Sequence, residues 1–328
     1  MRKTLSPDVL RLDEASEVER ISSRLRETLR GKLRKRGLVV AMSGGIDSSV
    51  CAALATKALG AKLVFGLLLP ERDSASDSTR RGELLAKHLG IEYQVHDIAP
   101  ALEAIGCYRW RDAAINKVFP DYGAGWKNKI VIAGGLQGGI NYFKLVVQAS
   151  SGKVAERRLE LAEYLQIVAA TNFKQRLRKT MEYFHADRLN YAVVGTPNRL
   201  EYDQGFFVKN GDGAADVKPI AHLYKTQVYA LARYLQLPPD ICNAVPTTDT
   251  YSLAQGQDEF YFALPYAQMD LAIWALNHGV PAGELAATLN ISAEHAELIY
   301  RDIERKRATT HYLHARPYLV EPVTEVHE

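Results

Sequence analysis

Three cysteines in 328 residues, Cys51, Cys107 and Cys242, show no C-x-x-C spacing, so neither a zinc site nor a disulfide framework is indicated. A count this sparse and odd fits a reducing compartment. No apolar run approaches membrane-spanning length and Met1 to Glu19 carry no secretory core, so the expected location is cytoplasmic, with no membrane partner. Charge of one sign is also lacking. Against 38 acidic residues stand 41 basic ones, a net +3 that does not point to nucleic acid yet suits an anionic nucleotide. Two familiar phosphate signatures are missing: no G-x-x-x-x-G-K-[ST] run occurs, and no G-x-G-x-x-G follows a strand. Their absence excludes the usual loops of kinases, GTPases and Rossmann dehydrogenases. No internal repeat or low-complexity tract appears.

What is present is a rhythm of strands and helices. Val18, Ile21, Leu25, Leu29 and Leu33 recur at three-to-four spacing and predict an amphipathic helix over about 13–35. A strand over 38–42, a helix over 48–59, a strand over 63–69, a helix over 76–89 and a strand over 91–96 follow. A second stretch repeats the pattern with a helix over 172–185, a strand over 189–194 and a helix over 225–235, stopped by Pro238-Pro239. Such alternation implies right-handed crossovers and a parallel sheet. Between 107 and 164 the rhythm breaks into strands at 129–134 and 142–147, with glycine-rich 134–139 expected as their hairpin loop. Residues 246–270 are loop-rich, and helices over 270–278 and 293–307 precede an extended tail. The expectation is one domain over 1–328, interrupted by a β-containing insertion at about 107–164 and closed by a helical region at about 270–328.

Where the strand Leu38-Val39-Val40-Ala41-Met42 runs into a helix lies Ser43-Gly44-Gly45-Ile46-Asp47-Ser48-Ser49. Gly44 and Gly45 let the backbone approach an anion closely. The serine hydroxyls and free N–H groups face that anion from the helix N-terminus, where the dipole favours negative charge. Asp47 would repel phosphate on its own, which implies a metal ion between carboxylate and phosphates. The pattern resembles the pyrophosphate loop of N-type ATP pyrophosphatases. A second constellation lies downstream. Arg176 and Arg178, two residues apart, cannot share a helix face. Residues 205–216 pack three glycines, two acids and a lysine into one loop, and Lys225 opens a helix at its N-terminus, an unfavourable place for a cation without an anionic partner.

The run from Gly195 to Gln227, with Ser43–Ser48 upstream and Pro246-Thr247 downstream, resembles the NAD synthase family over roughly residues 36–100 and 170–260, closest to its ammonia-dependent type. The resemblance implies an α/β fold, a doubly wound parallel sheet of the adenine-nucleotide alpha-hydrolase kind, in a homodimer. It implies a two-step reaction: ATP adenylates the carboxylate of deamido-NAD, and ammonia, free or from a separate glutaminase, displaces AMP. Position by position it implies that Ala41, Met42, Ser43, Gly44, Gly45, Ile46, Asp47 and Ser48 bind ATP with Thr196, Lys225 and Thr247. Asp47 and Glu201 would hold Mg2+, and Asp47 and Lys225 would be the catalytic pair. Arg176, Lys209, Asp216, His311 and Tyr312 would contact the dinucleotide, and Arg72 a phosphate.

The sequence departs from the family pattern where a C-terminal His-Lys pair is usual: here the counterpart is His311-Tyr312, without the positive charge, with His314 and Arg316 just beyond. This leaves open an amide ligase of the same fold acting on another carboxylate, and an inactive nucleotide-binding paralogue. Other side chains have plainer expectations: Met42 and Cys51 in the core, Arg178 and Lys179 on a solvated helix face, Tyr261, Phe262 and Tyr266 in packing. His185 and His222 are structural or solvent-facing, and Asp216 has an alternative as a turn cap.

Overall fold

The computed structural model describes residues 5–133, 142–244, 251–253 and 264–324. The chain enters through α1 (Glu14–Glu27), whose end widens into a π-helical turn at Thr28–Leu33. It then passes through β1 (Leu38–Ala41), α2 (Ile46–Leu59), β2 (Val64–Leu68), α3 (Ser76–Leu89) and β3 (Glu92–Val95). Helices α4 (Ala99–Ile105) and α5 (Cys107–Val118) lead to strands β4 (Lys127–Ala133), β5 (Tyr142–Gln148) and β6 (Val154–Arg158). The long α6 (Leu161–Leu189) returns to β7 (Ala192–Val193). Helices α7 (Arg199–Gln204), α8 (Lys225–Tyr234), α9 (Pro239–Cys242), α10 (Tyr266–Asn277), α11 (Ala282–Leu289) and α12 (Ala293–His314) follow.

The parallel sheet has the order β3-β2-β1-β7. Its strands alternate faces with period two, as a sheet covered on both sides requires. Leu38, Val40, Val64 and Leu68 pack on one side with α1, α2 and α8, while Val39, Phe65 and Leu67 pack on the other with α4, α5 and α6. This is the doubly wound arrangement expected. The chain moves from β1 outward to β3 and then back to β7 on the opposite edge of β1, so the direction of winding reverses between β1 and β7. A crevice opens there at the carboxyl ends of the strands. A further core joins α10, α11 and α12 with Leu5 and Leu10.

Several elements differ from expectation. Helix α2 begins at Ile46 rather than at Ser48, because Gly45 takes the extended conformation of an N-cap and Asp47 already lies in the first turn. The segment after Cys107 starts as a helix, α5, whose inward face includes the buried Arg111 and so hides its apolar period. Strands β4, β5 and β6 form a three-stranded antiparallel sheet, Ala133 pairing with Tyr142 and Gln148 with Val154. The third of them, Val-Ala-Glu-Arg-Arg, is mostly exposed and has no apolar alternation to betray it. The expected hairpin loop at 134–139 lies outside the described residues. Helix α6 starts at Leu161, eleven residues before expectation, because its first turns pack Ile167 and Tyr164 against the antiparallel sheet.

Under α6 sits a buried ionic cluster. Lys174 Nζ donates to Glu71 Oε1 at 3.1 Å and to Asp73 Oδ2 at 2.5 Å, Arg111 bonds Asp73, and the Tyr108 hydroxyl donates to Glu71 Oε2 at 2.7 Å. The cluster clamps the loop after β2 to α5 and α6. Arg72 is drawn into it, stacked 3.9 Å over the Tyr108 ring and paired with Asp112. Removing one member leaves uncompensated buried charge, which is costlier than the pair is worth. Lys174→Ala is therefore expected to lower the unfolding free energy by about 3–5 kcal/mol, read from urea denaturation; a loss below about 1 kcal/mol would mean that the cluster is hydrated.

Candidate functional site

The loop after β1 is built by one glycine. Gly44 has φ +75°, and a Cβ there would lie 2.4 Å from the carbonyl oxygen of Ser78, so α3 closes directly over the loop. Gly45 needs no such freedom at φ −84°. The Ser43 and Ser48 hydroxyls meet at 3.2 Å, and those of Ser48 and Ser49 donate to the Gly45 carbonyl. The first N–H groups of α2 are thereby turned toward the crevice, where the helix dipole favours an anion. Arg81 of α3 crosses the loop, its Nε donating to the Gly44 carbonyl at 3.2 Å.

The loop after β7 meets this one. Asn198 caps α7, its Oδ1 accepting from the Glu201 N–H at 3.2 Å while Glu201 Oε2 accepts from the Asn198 N–H at 3.1 Å, a capping box. The fully buried Asn198 then spends its Nδ2 on Asp47 Oδ1 at 3.0 Å, tying α7 to α2. The other oxygen of Asp47 bonds the ammonium of Lys225, itself 1% exposed. Burial pulls the Lys225 pKa down, but the carboxylates of Asp47 and Glu201 outweigh it and raise it, so the side chain remains an ammonium. The same two carboxylates and, above all, burial push the Cys51 thiol up, which leaves Cys51 a packed, protonated core residue.

Asp270 on α10 holds Lys225 from behind. Its two oxygens accept the Lys225 and Thr226 N–H groups at 3.2 and 2.8 Å, capping α8 from another helix. Ala41 to Ser48, Thr196, Glu201 and Lys225 all line one cavity of about 470 Å³. Arg178, Lys179, Glu182 and Asp212 line it too. The expectation of a solvated face for Arg178 and Lys179 is therefore corrected: Lys179 is buried and donates to Glu182 Oε2 at 2.7 Å, and Arg178 reaches the Leu69 carbonyl and Ser74. Burial, opposed by Lys179, pushes the Glu182 carboxyl up.

The residues expected at the dinucleotide, Arg176, Lys209, Asp216, His311 and Tyr312, are not among those that line this cavity. Arg176 donates to the Lys209 carbonyl at 3.2 Å, and Lys209 Nζ donates to the Tyr312 and Ala315 carbonyls at 2.7 and 2.9 Å, capping the end of α12. Tyr312 and His311 are exposed on that last turn. Asp216 accepts the Val193 N–H at 2.7 Å and the Tyr183 hydroxyl at 3.4 Å, fastening the end of β7. Thr247, Tyr261 and Phe262 lie outside the described residues. His222 pairs with Glu17 at 2.6 Å, and His185 is stacked on Phe65 near His96. Among the described residues no three His, Cys, Asp or Glu converge as a metal site, and no helix is long and apolar enough to cross a membrane. Arg81, Asn198 and Asp270 went unread in the sequence. Only Asn198 had a signal there, the capping-box spacing to Glu201.

A family model described as NAD synthase matches residues 17–118 and 138–312. Curated relatives include an NH(3)-dependent NAD(+) synthetase of Rhizobium meliloti, 58% identical over 99% of this chain and 97% of the relative. One of Mesorhizobium japonicum is 58% identical over 95% of this chain and 98% of its own. Among solved structures, the fold is shared with an NMN synthetase from Francisella tularensis (TM-score 0.65, 23% identity, 94% of this chain and 99% of that one). It is shared also with an NH3-dependent NAD synthetase from Campylobacter jejuni (TM-score 0.62, 21% identity, 94% and 100%).

Two outcomes test this geometry. Gly44→Ala, strained in the left-handed region and against Ser78, is expected to cost about 1–3 kcal/mol of stability and to weaken ATP binding at least tenfold by calorimetry; wild-type affinity would show that the loop is not the anion site. Burial raises the Asp270 pKa from 3.8 to about 6. The folded state then holds this proton more firmly than the unfolded one, so stability falls as pH rises from about 4 through about 6, by at most about 1.4 kcal/mol per unit. Asp270→Asn should lack that component in urea unfolding at pH 4.5 and 6.5; an unchanged slope would contradict the assignment.

Proposed function

The chain belongs to the NAD synthase family, and on that premise we propose that it joins ammonia to the nicotinate carboxylate of deamido-NAD at the expense of ATP, releasing AMP and pyrophosphate. The observation that carries this reading is the convergence of the α2 N-terminus, Asp47, Glu201 and the buried Lys225 ammonium on one cavity. A carboxylate is a poor electrophile and must first be given a leaving group. Its oxygen attacks the α-phosphorus of ATP, the bond to the β-phosphate oxygen breaks, and pyrophosphate departs with the electron pair. Ammonia then adds to the acyl carbon, AMP leaves with the C–O electron pair, and the nitrogen loses a proton.

The protein's share is positioning and charge. Ser43, Ser48 and the first N–H groups of α2 receive the departing pyrophosphate, and Lys225, already ionised and desolvated, neutralises it. Asn198 and Asp270 keep Asp47 and Lys225 aimed into the cavity. Mg2+ belongs to this reading, and the donor set fits it. Asp47 and Glu201 are hard oxygen donors in the same cavity, and a magnesium site needs only one or two carboxylates when phosphates and water complete it. When bound there, the ion would shield phosphate charge during attack.

Arg176, Lys209, Asp216, His311 and Tyr312 remain the proposed dinucleotide contacts. A homodimer is also part of the reading, supported by Leu161 and Leu165, exposed one turn apart on α6. Protein supplied with ATP, Mg2+, deamido-NAD and ammonium is expected to form NAD, AMP and pyrophosphate in equal amounts; no NAD would refute the proposal. Asp47→Asn should lower turnover by about 100-fold or more while ATP affinity changes far less, and unchanged turnover would remove Asp47 from the metal site.

A further inference from the structure

The cavity extends well past the phosphate loop, along α6. Tyr164, Val168, Thr171, Gln175, Arg178 and Glu182 all line it. Alternately four and three residues apart, they form one stripe on the helix. At about 1.5 Å per residue the stripe runs about 27 Å, long enough for an extended dinucleotide. Its two ends differ in chemistry. Arg178 and Glu182, with Lys179 and Asp212, make one end charged. At the other, Tyr164 and Val168 face Ile132 of β4, Phe143 of β5 and Tyr251, with no charged side chain among them.

The Phe143 and Tyr164 rings are stacked there, centroids 4.0 Å apart and planes within 15°. A pair already stacked loses little freedom when a third ring is added, and it offers a π-face rather than hydrogen bonds, so it selects flat rings. ATP has a nearer apolar seat for its base. Leu67, paired with Ala41, and Leu68 end β2 beside the phosphate loop, and with Leu69 just beyond and Val194 they line the cavity. The aromatic end is therefore left to the second substrate.

We propose that the antiparallel sheet supplies a ring-binding subsite in which Phe143, backed by Tyr164, is a specificity-determining residue for a heteroaromatic ring of the dinucleotide. This rests on the function proposed above and deepens it. It also gives the sheet a role, as one wall of the substrate cavity. The alternative is that Phe143 merely fills the small core shared with Ile130, Leu145 and Tyr251.

Steady-state kinetics with ATP and deamido-NAD varied separately distinguish the two, using Phe143→Ala, Phe143→Leu and Phe143→Tyr. Leucine keeps the apolar volume without the ring, and tyrosine keeps the ring. The subsite requires that KM for deamido-NAD rise about tenfold in both the alanine and leucine variants and return to within about twofold in the tyrosine variant, with KM for ATP and kcat nearly unchanged. A deamido-NAD KM that stays at its wild-type value, an equal shift in the ATP KM, or full recovery by leucine overturns it. Should wild-type protein bind deamido-NAD without converting it, the functional reading fails. The Kd values of the same variants, measured by calorimetry, then still decide the subsite.

Discussion

A lysine ammonium removed from water must be answered by negative charge held close by, and Lys225 imposes that condition on two parts of the chain at once. Asp47 at the start of α2 and Glu201 in the first turn of α7 bear on the ammonium of the first residue of α8, while Asp270 on α10 holds its backbone N–H. Desolvation alone would drive the proton off; the carboxylates keep it on. Since burying the ion is expensive, it persists only where its partners are fixed. Asn198 and the capping box fix them by hydrogen bonds that leave little slack. The result is a cation that lines the cavity already stripped of water.

The parallel sheet makes this possible through its winding. Because β1 lies between β2 and β7, the loops leaving β1 and β7 separate to opposite sides and open a crevice where both can face one ligand. Helix α6 supplies the remaining length. Its middle is clamped to the loop after β2 by the Lys174 cluster, and its first turns carry the antiparallel sheet, so the cavity wall is one rigid rod rather than a set of loops. The loops after β1 and β7 line one part of the cavity, while a helix gives it its length.

Much of this was legible in the sequence. The strand-turn-helix at Ser43–Ser49 could be read because its parts are local: an apolar strand ending at Ala41, a glycine at 44 with φ +75° and a helix start at Ile46. The helix over 76–89 matches the expected span, its apolar residues falling on one face and its end marked by Gly90. Helix α5 was missed because its buried Arg111 looks polar in a linear pattern, although Asp73 pairs it in space. The β6 strand was missed because an exposed edge needs no apolar residues. Lys179 was misjudged for the same reason as Arg111: its partner Glu182 is a neighbour, but its burial comes from elsewhere in the fold.

The sequence by itself determined the α/β class, the strand-glycine-helix turn after β1 and the chemistry to which Asp47, Glu201 and Lys225 are suited, because each is encoded in short-range spacing. Only the tertiary structure decided which of those residues meet. It brought Asp47 and Lys225 together across 178 positions of chain, recruited Asn198 and Asp270 to hold them, and laid Arg81 across the loop at the Gly44 carbonyl. It also directed Lys209 to the carbonyls that end α12 and set Phe143 of the antiparallel sheet in the cavity wall. Such contacts depend on how far apart packed elements finally stand, and local spacing carries no record of that distance.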